Sequence, residues 1–511
     1  MARWEVDLPD EEATAALARR VRTLVRAGDL VTLSGDLGAG KTTLARALIR
    51  LLTGDPELEV PSPTFTLMQI YDGEQFPIVH ADLYRIRSPG ELAELGWDEA
   101  AEGALVLVEW AERASDELPE DRLDIALRLD PSRGDDFRGA VLTGSGTFGA
   151  RLARAKALDA LLESAGWADA NRSFMQGDAS TRAYERLEKP DGSRAILMIS
   201  PRRPDGPAVR FGKPYSAIAR LAEDVVPFIA VDRALIAQGF SAPHIFASDR
   251  DAGLILLEDL GGEQIVDADG PIPDRYAAST AVLAGLHATH LPDRLDDEPS
   301  PYVIPPYDLD ALSIEVELLV DWYAPHIARV SLSSGARATF VNLWRDLLGE
   351  IVAAPPTWTL RDYHSPNLLW LEQREGLRKV GLLDFQDCVM GHPAYDVASI
   401  LQDARVTVPD RLEMRLLGDY LRLRRQSDPA FDIPAFARAY AIMGAQRATK
   451  ILGIFARLDK RDRKPQYLAH LPRIRHYLAK DLAHPALGPI RGWYEANLPD
   501  LLVTQEPGAA S

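Results

Sequence analysis

Apolar residues near the start of the chain alternate between helical spacing and short continuous runs. Glu11–Ala27 has the periodicity of an amphipathic helix, Leu30–Ser34 is a short apolar strand, and Thr42–Leu52 again has helical spacing. Ala104–Val108 is a further apolar run of strand length. The order of these segments predicts an α/β domain in which a strand leads directly into a loop and then a helix.

The loop between the first strand and the next helix is rich in glycine. Residues 35–42 read Gly-Asp-Leu-Gly-Ala-Gly-Lys-Thr, the pattern of a Walker A phosphate loop. Glycines let backbone N–H groups converge on phosphate oxygens, and the N-terminus of the following helix adds positive potential. We expect Lys41 to bind the β- and γ-phosphates of ATP and Thr42 to be a Mg²⁺ ligand. The predicted nucleotide-binding residues are Gly35, Gly38, Gly40, Lys41, Thr42 and Thr43.

Three further segments supply polar side chains for a nucleotide site. The run Ala104–Val108 ends in Glu109, placed as a Walker B acid would be, to hold Mg²⁺ directly or through water. Ser62–Thr66 is a proline-stiffened loop whose hydroxyls suit a switch segment near a γ-phosphate. His80–Arg85 puts an acid, Asp82, at a predicted strand end.

In this order and spacing, the four segments resemble the TsaE family, the small ATPase of the bacterial machinery that makes threonylcarbamoyladenosine in tRNA. The resemblance covers about residues 1–145. It implies a compact P-loop fold with Thr42 and Glu109 near the metal, Asp82 near the metal or the attacking water, and Thr64 as a sensor of the γ-phosphate. It also implies ATP hydrolysis coupled to partner subunits, with tRNA reached only through those partners.

Composition changes between the two halves of the chain. Pro131–Asp136 and Thr143–Thr147 are turn-rich, and Arg151–Ala165 has the pattern of a helix with Gly166 as its C-cap. We therefore predict a hinge and the first helix of a second domain. The predicted domains are residues 1–148 and 149–511.

Acidic side chains at kinase spacing lie in the second half. Asp362 is followed five residues later by Asn367, the offset of a kinase catalytic loop, in which the Asp accepts the substrate hydroxyl proton and the Asn holds a metal. Asp384 follows an apolar run and matches the acid of the metal-binding turn. Asp396 is expected to brace the catalytic loop from below. Together these residues predict Mg·ATP-dependent phosphotransfer.

Two earlier segments are candidates for binding the nucleotide. Gly177–Arg186 is a polar turn between two predicted strands, and it places Ser180 and Arg182 where a loop would cover ATP phosphates. Leu254–Gly261 is an apolar strand that enters a Gly-marked turn, and Glu258 lies where adenine would meet the linker between two lobes.

These motifs resemble the aminoglycoside-phosphotransferase and choline-kinase superfamily, over about residues 150–495. Within it the chain is most similar to kinases that phosphorylate the anomeric hydroxyl of N-acetylmuramate and N-acetylglucosamine. The resemblance implies a bilobal α+β, protein-kinase-like domain and a small-molecule sugar substrate. Segments that carry it are Gly177–Arg186, Glu258–Gly261, Arg361–Asn367, Asp384–Asp387 and Gln446–Gly453.

Two positions depart from the kinase pattern. Met198 lies about where a kinase places its phosphate-binding lysine, and Leu360 replaces the usual histidine of the catalytic loop. Because phosphoryl transfer depends largely on charge neutralisation, a cation is needed in place of that lysine. Arg182, Arg194 and Arg202 are the candidates.

Two alternatives remain open for the second half. A kinase for an amino alcohol or an aminoglycoside would use acids around Glu315–Asp321 as a cation-binding floor, and a nucleotide-responsive interaction module would not turn over at all. Side chains that could contact substrate or serve as structural residues are His364, Arg447 and Lys450, and also Trp322 and Trp344, for which core packing is the more frequent role.

Composition limits the remaining choices. A formal charge of −19 argues against broad binding to nucleic-acid backbones. A single cysteine, Cys388, excludes an intrachain disulfide framework and fits a reducing compartment. No apolar run approaches the roughly 20 residues of a membrane span. We therefore expect a cytoplasmic, bifunctional protein that joins an ATPase to a kinase, without a membrane partner.

Overall fold

The computed structural model describes residues 2–86, 97–114, 118–134, 136–175, 182–202, 206–296 and 299–503. Contacts divide the chain into two compact units, residues 1–168 and 169–511. Among the described residues, no helix is both long and apolar enough to span a membrane.

The first unit is built on a seven-stranded sheet with the order β1-β7-β6-β2-β5-β4-β3. The pairs β2–β5, β2–β6 and β4–β5 are parallel, and the outer pairs are antiparallel. Its strands are β1 (Ala2–Leu8), β2 (Leu30–Ser34), β3 (Met68–Asp72), β4 (Pro77–Asp82), β5 (Leu105–Glu109), β6 (Leu123–Leu129) and β7 (Arg138–Gly144). Its helices are α1 (Glu11–Leu24), α2 (Lys41–Thr53), α3 (Trp97–Ala101) and α4 (Gly146–Ser164).

The predicted strand–loop–helix unit is confirmed. Strand β2 occupies the predicted residues and lies at the centre of the sheet, where its apolar side chains are buried. Strand β5 is buried throughout because helices and loops cover both faces of the parallel part of the sheet. Central parallel strands bring their carboxyl ends to one edge, which is where α/β folds bind ligands.

Helix α4 belongs to the first unit. It packs against β1, β7 and α1, and Phe148 and Leu152 are fully buried in the same apolar cluster as those elements. The division between units therefore falls after residue 168, beyond the boundary predicted at 148. The glycines and hydroxyl residues at 143–147, interpreted as a hinge, form instead the end of β7 and the start of α4.

The second unit begins with an antiparallel five-stranded sheet of order β13-β14-β10-β9-β8. Short two-stranded ladders follow, and two of them flank the segments predicted to be catalytic. The sheet strands are β8 (Asn171–Met175), β9 (Ala183–Glu188), β10 (Arg194–Ile199), β13 (Ile245–Asp249) and β14 (Leu254–Glu258). The short strands are β11 (Ala208–Arg210), β12 (Lys213–Pro214), β15 (Val266–Asp267), β16 (Gly270–Pro271), β17 (Arg294–Leu295), β18 (Tyr302–Val303), β19 (Thr357–Thr359), β20 (Leu368–Trp370), β21 (Val380–Leu382) and β22 (Val389–Gly391).

Helices form the larger part of the second unit and enclose one large apolar core. The α-helices are α5 (Tyr215–Ile218), α6 (Val226–Ala237), α7 (Pro273–Ala288), α8 (Leu309–Leu318), α9 (Ser334–Val352), α10 (Ala394–Leu401), α11 (Asp410–Ser427), α12 (Ile433–Lys460), α13 (Leu471–Asp481) and α14 (Gly488–Asn497). Leu319–Ala328 is a π-helix that continues α8. Helix α12 lies centrally, since it packs against α8, α10, α13 and the π-helix. A small sheet followed by a helical body is the α+β, bilobal arrangement that the sequence predicts.

Candidate active sites

The phosphate loop of the first unit depends on glycine at defined positions. Gly35 has φ +132°, and a Cβ there would lie 2.2 Å from the carbonyl oxygen of Leu127. Gly40 has φ +100° and is the residue from which α2 starts. A side chain at either position would strain or displace the backbone. The sequence therefore forms a tight turn whose N–H groups precede a helix N-terminus, a geometry that binds anions.

Lys41 points back into this turn. Its Nζ donates to the carbonyl oxygens of Gly35 (2.7 Å) and Asp36 (2.9 Å) and lies 3.6 Å from the centre of the Trp110 ring. The side chain is only 5% exposed. Burial lowers the pKa of Lys41, and the nearby Glu109 carboxylate opposes that shift. The ammonium is thus fixed inside the loop, where phosphate oxygens would be within its reach.

Two acids lie beside the loop, at the ends of neighbouring parallel strands. Asp82 and Glu109 are register partners in β4 and β5, and both are buried. The Glu109 carboxylate accepts from Thr42 Oγ1 (2.8 Å) and lies 3.0 Å from His80 Nε2. Asp82 accepts from the hydroxyls of Ser62 and Thr64, each at 2.7 Å. The structure therefore brings the predicted polar residues together at one edge of the sheet.

This donor set fits Mg²⁺ held jointly with phosphate. Hydroxyl and carboxylate oxygens are the ligands that Mg²⁺ prefers, and it usually takes only one or two carboxylates from the protein. Within the described part of the chain, no group of three or more His, Cys, Asp or Glu side chains could hold a metal alone. Beside the loop, Gly38, Gly40 and Thr43 line a cavity of about 380 Å³, which Thr14 and Arg138 also line.

The catalytic loop of the second unit is clamped by a buried carboxylate. The two oxygens of Asp396 accept from the main-chain N–H groups of Leu360 (2.6 Å) and Arg361 (2.9 Å). Burial raises the pKa of Asp396 to about 7, and these two hydrogen bonds oppose the rise. The prediction that Asp396 braces the loop is confirmed.

Asp362, Asn367 and Asp384, the residues predicted to act in phosphotransfer, lie close together next to the segment that Asp396 holds. Asn367 Nδ2 donates to the Asp362 carbonyl oxygen (2.9 Å) and lies 3.5 Å from Asp384 Oδ2. Gln386 donates to Asp384 Oδ1 at 2.8 Å. The backbone of Asp384 has φ +57°, a left-handed conformation that non-glycine residues seldom adopt, and this conformation orients the carboxylate. Burial and the Asp362 carboxylate raise the pKa of Asp384, and the Arg182 guanidinium opposes this rise.

Comparisons with known proteins match the two halves of the chain to two different families. Residues 8–135 match the family model for the threonylcarbamoyl adenosine biosynthesis protein TsaE, and residues 172–439, more than half the chain, match the phosphotransferase enzyme family. An N-acetylmuramate/N-acetylglucosamine kinase of Caulobacter vibrioides is 38% identical over 357 residues, which are 68% of this chain and 97% of the relative. A TsaE protein of Rickettsia bellii is 40% identical over 122 residues, 24% of this chain and 84% of the relative. A TsaE protein of Rickettsia conorii is 46% identical over 105 residues, 20% of this chain and 59% of the relative.

The chain belongs to both families. The two resemblances predicted from the sequence are confirmed, and so is the fold of each half, a P-loop α/β domain followed by a protein-kinase-like phosphotransferase domain. Kinase activity and membership of an ATPase family follow from the same matches, and both families use ATP.

The phosphotransferase domain has no lysine at the strand position of the usual phosphate anchor. Met198 is 1% exposed in β10, between register partners Tyr184 and Ile255. Arg182, immediately before β9, instead directs Nη1 to Asp384 Oδ1 at 2.8 Å and is 13% exposed. Arg194 is 58% exposed and pairs with a carboxylate of the neighbouring strand. Of the three predicted substitutes, Arg182 is the one that the structure places against Asp384, the predicted metal ligand.

The other residues of this domain that are predicted to bind nucleotide are Ser180 and Glu258. Ser180 lies outside the described residues. The Glu258 carboxylate accepts from Arg374 Nη2 (2.7 Å) and from the main-chain N–H of His244 (3.1 Å). Its side chain therefore joins β14 to the segment after β20, and the role of Glu258 in adenine binding stays a prediction.

A buried charge cluster beneath the catalytic loop was not predicted. Glu315 of α8 is fully buried and pairs with Arg361 (2.5 Å) and with Lys450 of α12 (2.7 Å). Its other oxygen accepts from Tyr307 and Gln446. These residues are far apart in the chain, so no local pattern signals the cluster.

This cluster changes the interpretation of the acids at 315–321. Glu315 is neutralised as described, Glu317 accepts from Arg210 at 2.7 Å, and Asp321 lies 2.6 Å from Arg337. All three carboxylates already have cationic partners from the protein. The cation-binding floor expected for an amino-alcohol kinase is therefore not what these side chains form.

The other side chains considered as substrate contacts are mostly structural. Trp344 is fully buried in the core, Lys450 binds Glu315, and Arg447 is 5% exposed near the carbonyl oxygen of Gln402. Burial lowers the pKa of His364, whose Nδ1 has no hydrogen-bond partner among the described residues.

Proposed function

We propose that this chain is a bifunctional cytoplasmic protein. Its TsaE domain would hydrolyse Mg·ATP in support of tRNA threonylcarbamoyladenosine formation. Its phosphotransferase domain would transfer the γ-phosphate of ATP to the anomeric hydroxyl of N-acetylmuramate or N-acetylglucosamine. The observation that carries the second activity is the convergence of Asp362, Asn367 and Asp384 in a chain that covers 97% of a kinase named for these sugars.

In the TsaE domain, each polar group has a defined task. Lys41 would bind the β- and γ-phosphates from inside the loop, and Thr42 and Glu109, already hydrogen-bonded to each other, would hold Mg²⁺. Bound Mg²⁺ neutralises charge on the phosphate oxygens. Asp82 would orient the attacking water, while its hydrogen bond with Thr64 would link the switch loop to the γ-phosphate.

Partner subunits are part of this proposal. The chain carries a formal charge of −19, which disfavours direct binding to the phosphates of tRNA. The TsaE domain would therefore meet tRNA only through other subunits of the modification machinery. Hydrolysis would drive their cycle and would not itself build the modification.

In the phosphotransferase domain, the proton and the charge are handled by different residues. Asp362 would accept the proton of the anomeric hydroxyl as its oxygen attacks the γ-phosphorus. Asn367 and Asp384 would hold Mg²⁺, which offsets the charge of the phosphates when bound. Arg182 would take the place of the missing lysine at the α- or β-phosphate, since its guanidinium already lies at the Asp384 carboxylate.

The ion pairs of the acidic residues at 315–321 disfavour a cationic acceptor, because none of their carboxylates lacks a basic partner. The non-catalytic alternative is disfavoured by the same convergence that supports the kinase. Burial and the nearby Asp362 carboxylate raise the pKa of Asp384, and two close carboxylates suit a site that would bind Mg²⁺.

A product assay on the intact chain tests this proposal. The protein is incubated with Mg·ATP and, separately, N-acetylmuramate, N-acetylglucosamine, ethanolamine or kanamycin, and phosphorylated product is measured. We expect product with at least one amino sugar and none from Asp362→Asn. Product only with ethanolamine or kanamycin would replace the sugar assignment, and no product from any acceptor would contradict the kinase proposal.

A further inference from the structure

Arg447 is a buried cation without a carboxylate partner. It lies on α12, and only 5% of the residue is exposed. Among the described residues it forms no ion pair, and its one hydrogen bond runs from Nη1 to the carbonyl oxygen of Gln402, at 3.5 Å. Buried charges in proteins are nearly always paired. The charge of Arg447 therefore lacks the counterion that burial normally requires.

Arg361 of the same domain shows the usual arrangement. It is 3% exposed, and its guanidinium donates to the carbonyl oxygens of Ala219 and Arg220 and to the Glu315 carboxylate. Arg447 has the same five N–H donors. Its Nε and Nη2 have no hydrogen-bond partner within the described chain, yet neither atom is enclosed, so water reaches both. The side chain is therefore buried along its length and open at these two donors.

Arg447 lies beside the catalytic loop. Burial lowers the pKa of His364, two residues after Asp362, and the charge of Arg447 lowers it further. Burial raises the pKa of Asp396, and the charge of Arg447 opposes that rise. Asp396 holds the main-chain N–H groups just before Asp362. Because charges shift a pKa only at short range, Arg447 lies near residues that flank Asp362 on both sides.

The acids in this region already have hydrogen-bond donors. Both oxygens of Asp396 accept from main-chain N–H groups of the catalytic loop. Both oxygens of Asp403 also accept from main-chain N–H groups, those of Ser365 and Arg405. Neither carboxylate forms an ion pair with Arg447. A substrate that carries its own carboxylate would supply the missing counterion.

The two acceptor sugars differ in this group. N-acetylmuramate carries a lactyl carboxylate on its 3-oxygen, where N-acetylglucosamine has a hydroxyl. Either sugar has to lie beside Asp362 if its anomeric hydroxyl is to give a proton to that carboxylate. The acceptor is therefore next to the loop that Arg447 borders.

We propose that Arg447 binds the lactyl carboxylate of N-acetylmuramate and sets the preference between the two sugars. This inference rests on the proposed sugar kinase activity. Arginine binds a carboxylate through two parallel N–H···O bonds, and Nε and Nη2 are the adjacent donors that such a pair needs. With N-acetylglucosamine, water takes the place of the carboxylate.

Phosphorylation kinetics of the intact chain test this role. The ratio kcat/KM is measured at saturating Mg·ATP for N-acetylmuramate, its methyl ester and N-acetylglucosamine. The ester keeps the lactyl group but removes its charge, so the parent should use the acid better than the ester. In Arg447→Gln the selectivity for N-acetylmuramate over N-acetylglucosamine should fall by roughly fivefold or more, and acid and ester should react alike. Arg447→Lys keeps the charge but not the planar fork, so its selectivity should fall less.

Arg438→Met is the matched control. Arg438 lies on the same helix, is 41% exposed and pairs with Glu350, so its loss should leave the selectivity unchanged. An arginine with a purely structural role would lower the rates with both sugars equally. That result, or a smaller fall in selectivity than expected, would overturn the proposal.

The ester comparison in the parent needs no substitution, so it decides the matter even if a variant does not fold. Equal use of acid and ester by the parent would also overturn the role of Arg447 while leaving the sugar kinase activity in place. No product from the parent with either sugar would contradict the proposed activity itself, and this inference with it.

Discussion

Replacing Arg182 tests how this kinase manages without the usual lysine. Its Nη1 lies 2.8 Å from Asp384 Oδ1, and 13% of the side chain is exposed. Desolvation opposes its charge, but the carboxylates of Asp384 and Asp387 keep the pKa of the guanidinium above its ordinary value. Arg182 is therefore a fixed cation beside Asp384, where we propose that it meets the α- or β-phosphate.

The size of the effect follows from the type of contact. A hydrogen bond to a charged group contributes about 1.5–3 kcal/mol when it is shielded from water. Since about 1.4 kcal/mol corresponds to a factor of ten, Arg182→Met should weaken ATP binding by about ten- to one-hundredfold. Arg182→Lys keeps the charge but loses the planar fork, so an intermediate loss is expected.

The assay has to separate the two nucleotide sites. ATP binding in the presence of Mg²⁺ is measured by calorimetry in a Lys41→Ala background, which removes the contribution of the TsaE domain. Arg194→Met is the matched control, because Arg194 is exposed and binds Glu188 on the neighbouring strand. If Arg182→Met binds ATP within twofold of its parent while Arg194→Met weakens binding, the assignment of Arg182 is wrong.

Three further outcomes follow from the structure. Lys41→Ala should abolish sugar-independent ATP hydrolysis and leave sugar phosphorylation intact, because the lysine serves only the TsaE loop. Asp362→Asn should keep Mg·ATP affinity but lose turnover, whereas Asp384→Asn should lose both, since only the second removes charge from the metal site. Asp232 is fully buried, both its oxygens lack partners within the described residues, and burial raises its pKa to about 8. Between about pH 4 and 8 the folded state therefore holds a proton that the unfolded state has lost, so the free energy of unfolding falls as pH rises, by up to about 1.4 kcal/mol per pH unit. Asp232→Asn should lower that slope by the share of this group in denaturant titrations, and the slope that remains below about pH 7 includes Asp396, whose pKa burial also raises.

Each of these outcomes has a result that would contradict it. Lys156→Ala, an exposed change in the same domain, is the control for Lys41→Ala, and equal hydrolysis by the two variants would exclude the proposed loop chemistry. A normal rate of sugar phosphorylation in Asp362→Asn would move the catalytic base elsewhere. A pH slope that is unchanged in Asp232→Asn would mean that other groups account for all of it.

Local sequence patterns were sufficient for the TsaE site. A buried strand, a glycine turn and a helix follow one another, so Gly35 to Thr42 form their site from contiguous residues. Asp82 and Glu109 were identified because each ends a strand, and parallel pairing then brings them together. The contact division after residue 168 differs from the boundary predicted at 148, because glycine and hydroxyl residues are typical both of hinges and of helix starts.

Side-chain pairs between distant segments could not be predicted from the sequence. Glu315 and Arg361 are 46 residues apart, and Lys450 is on a third segment. Which cation replaces the lysine at Met198 was also undecided among three arginines, since only the fold shows that Arg182 meets Asp384. Sequence spacing identifies site residues that lie on one short segment. Partners from distant segments are brought together by packing, so only the structure identifies them.

The buried pairing of Arg361 also bears on how the kinase is controlled. In protein kinases, new arginine–phosphate pairs order the activation loop, so that catalysis waits for a modification. Here Arg361, next to the proposed catalytic aspartate, already has its counterion in Glu315, supplied by a helix of the same domain. The charge of Arg361 is thus balanced within the chain as soon as the domain folds, with no added phosphate group. Its output would follow the supply of sugar and ATP, and the amount of protein made, without any activating phosphorylation of this loop.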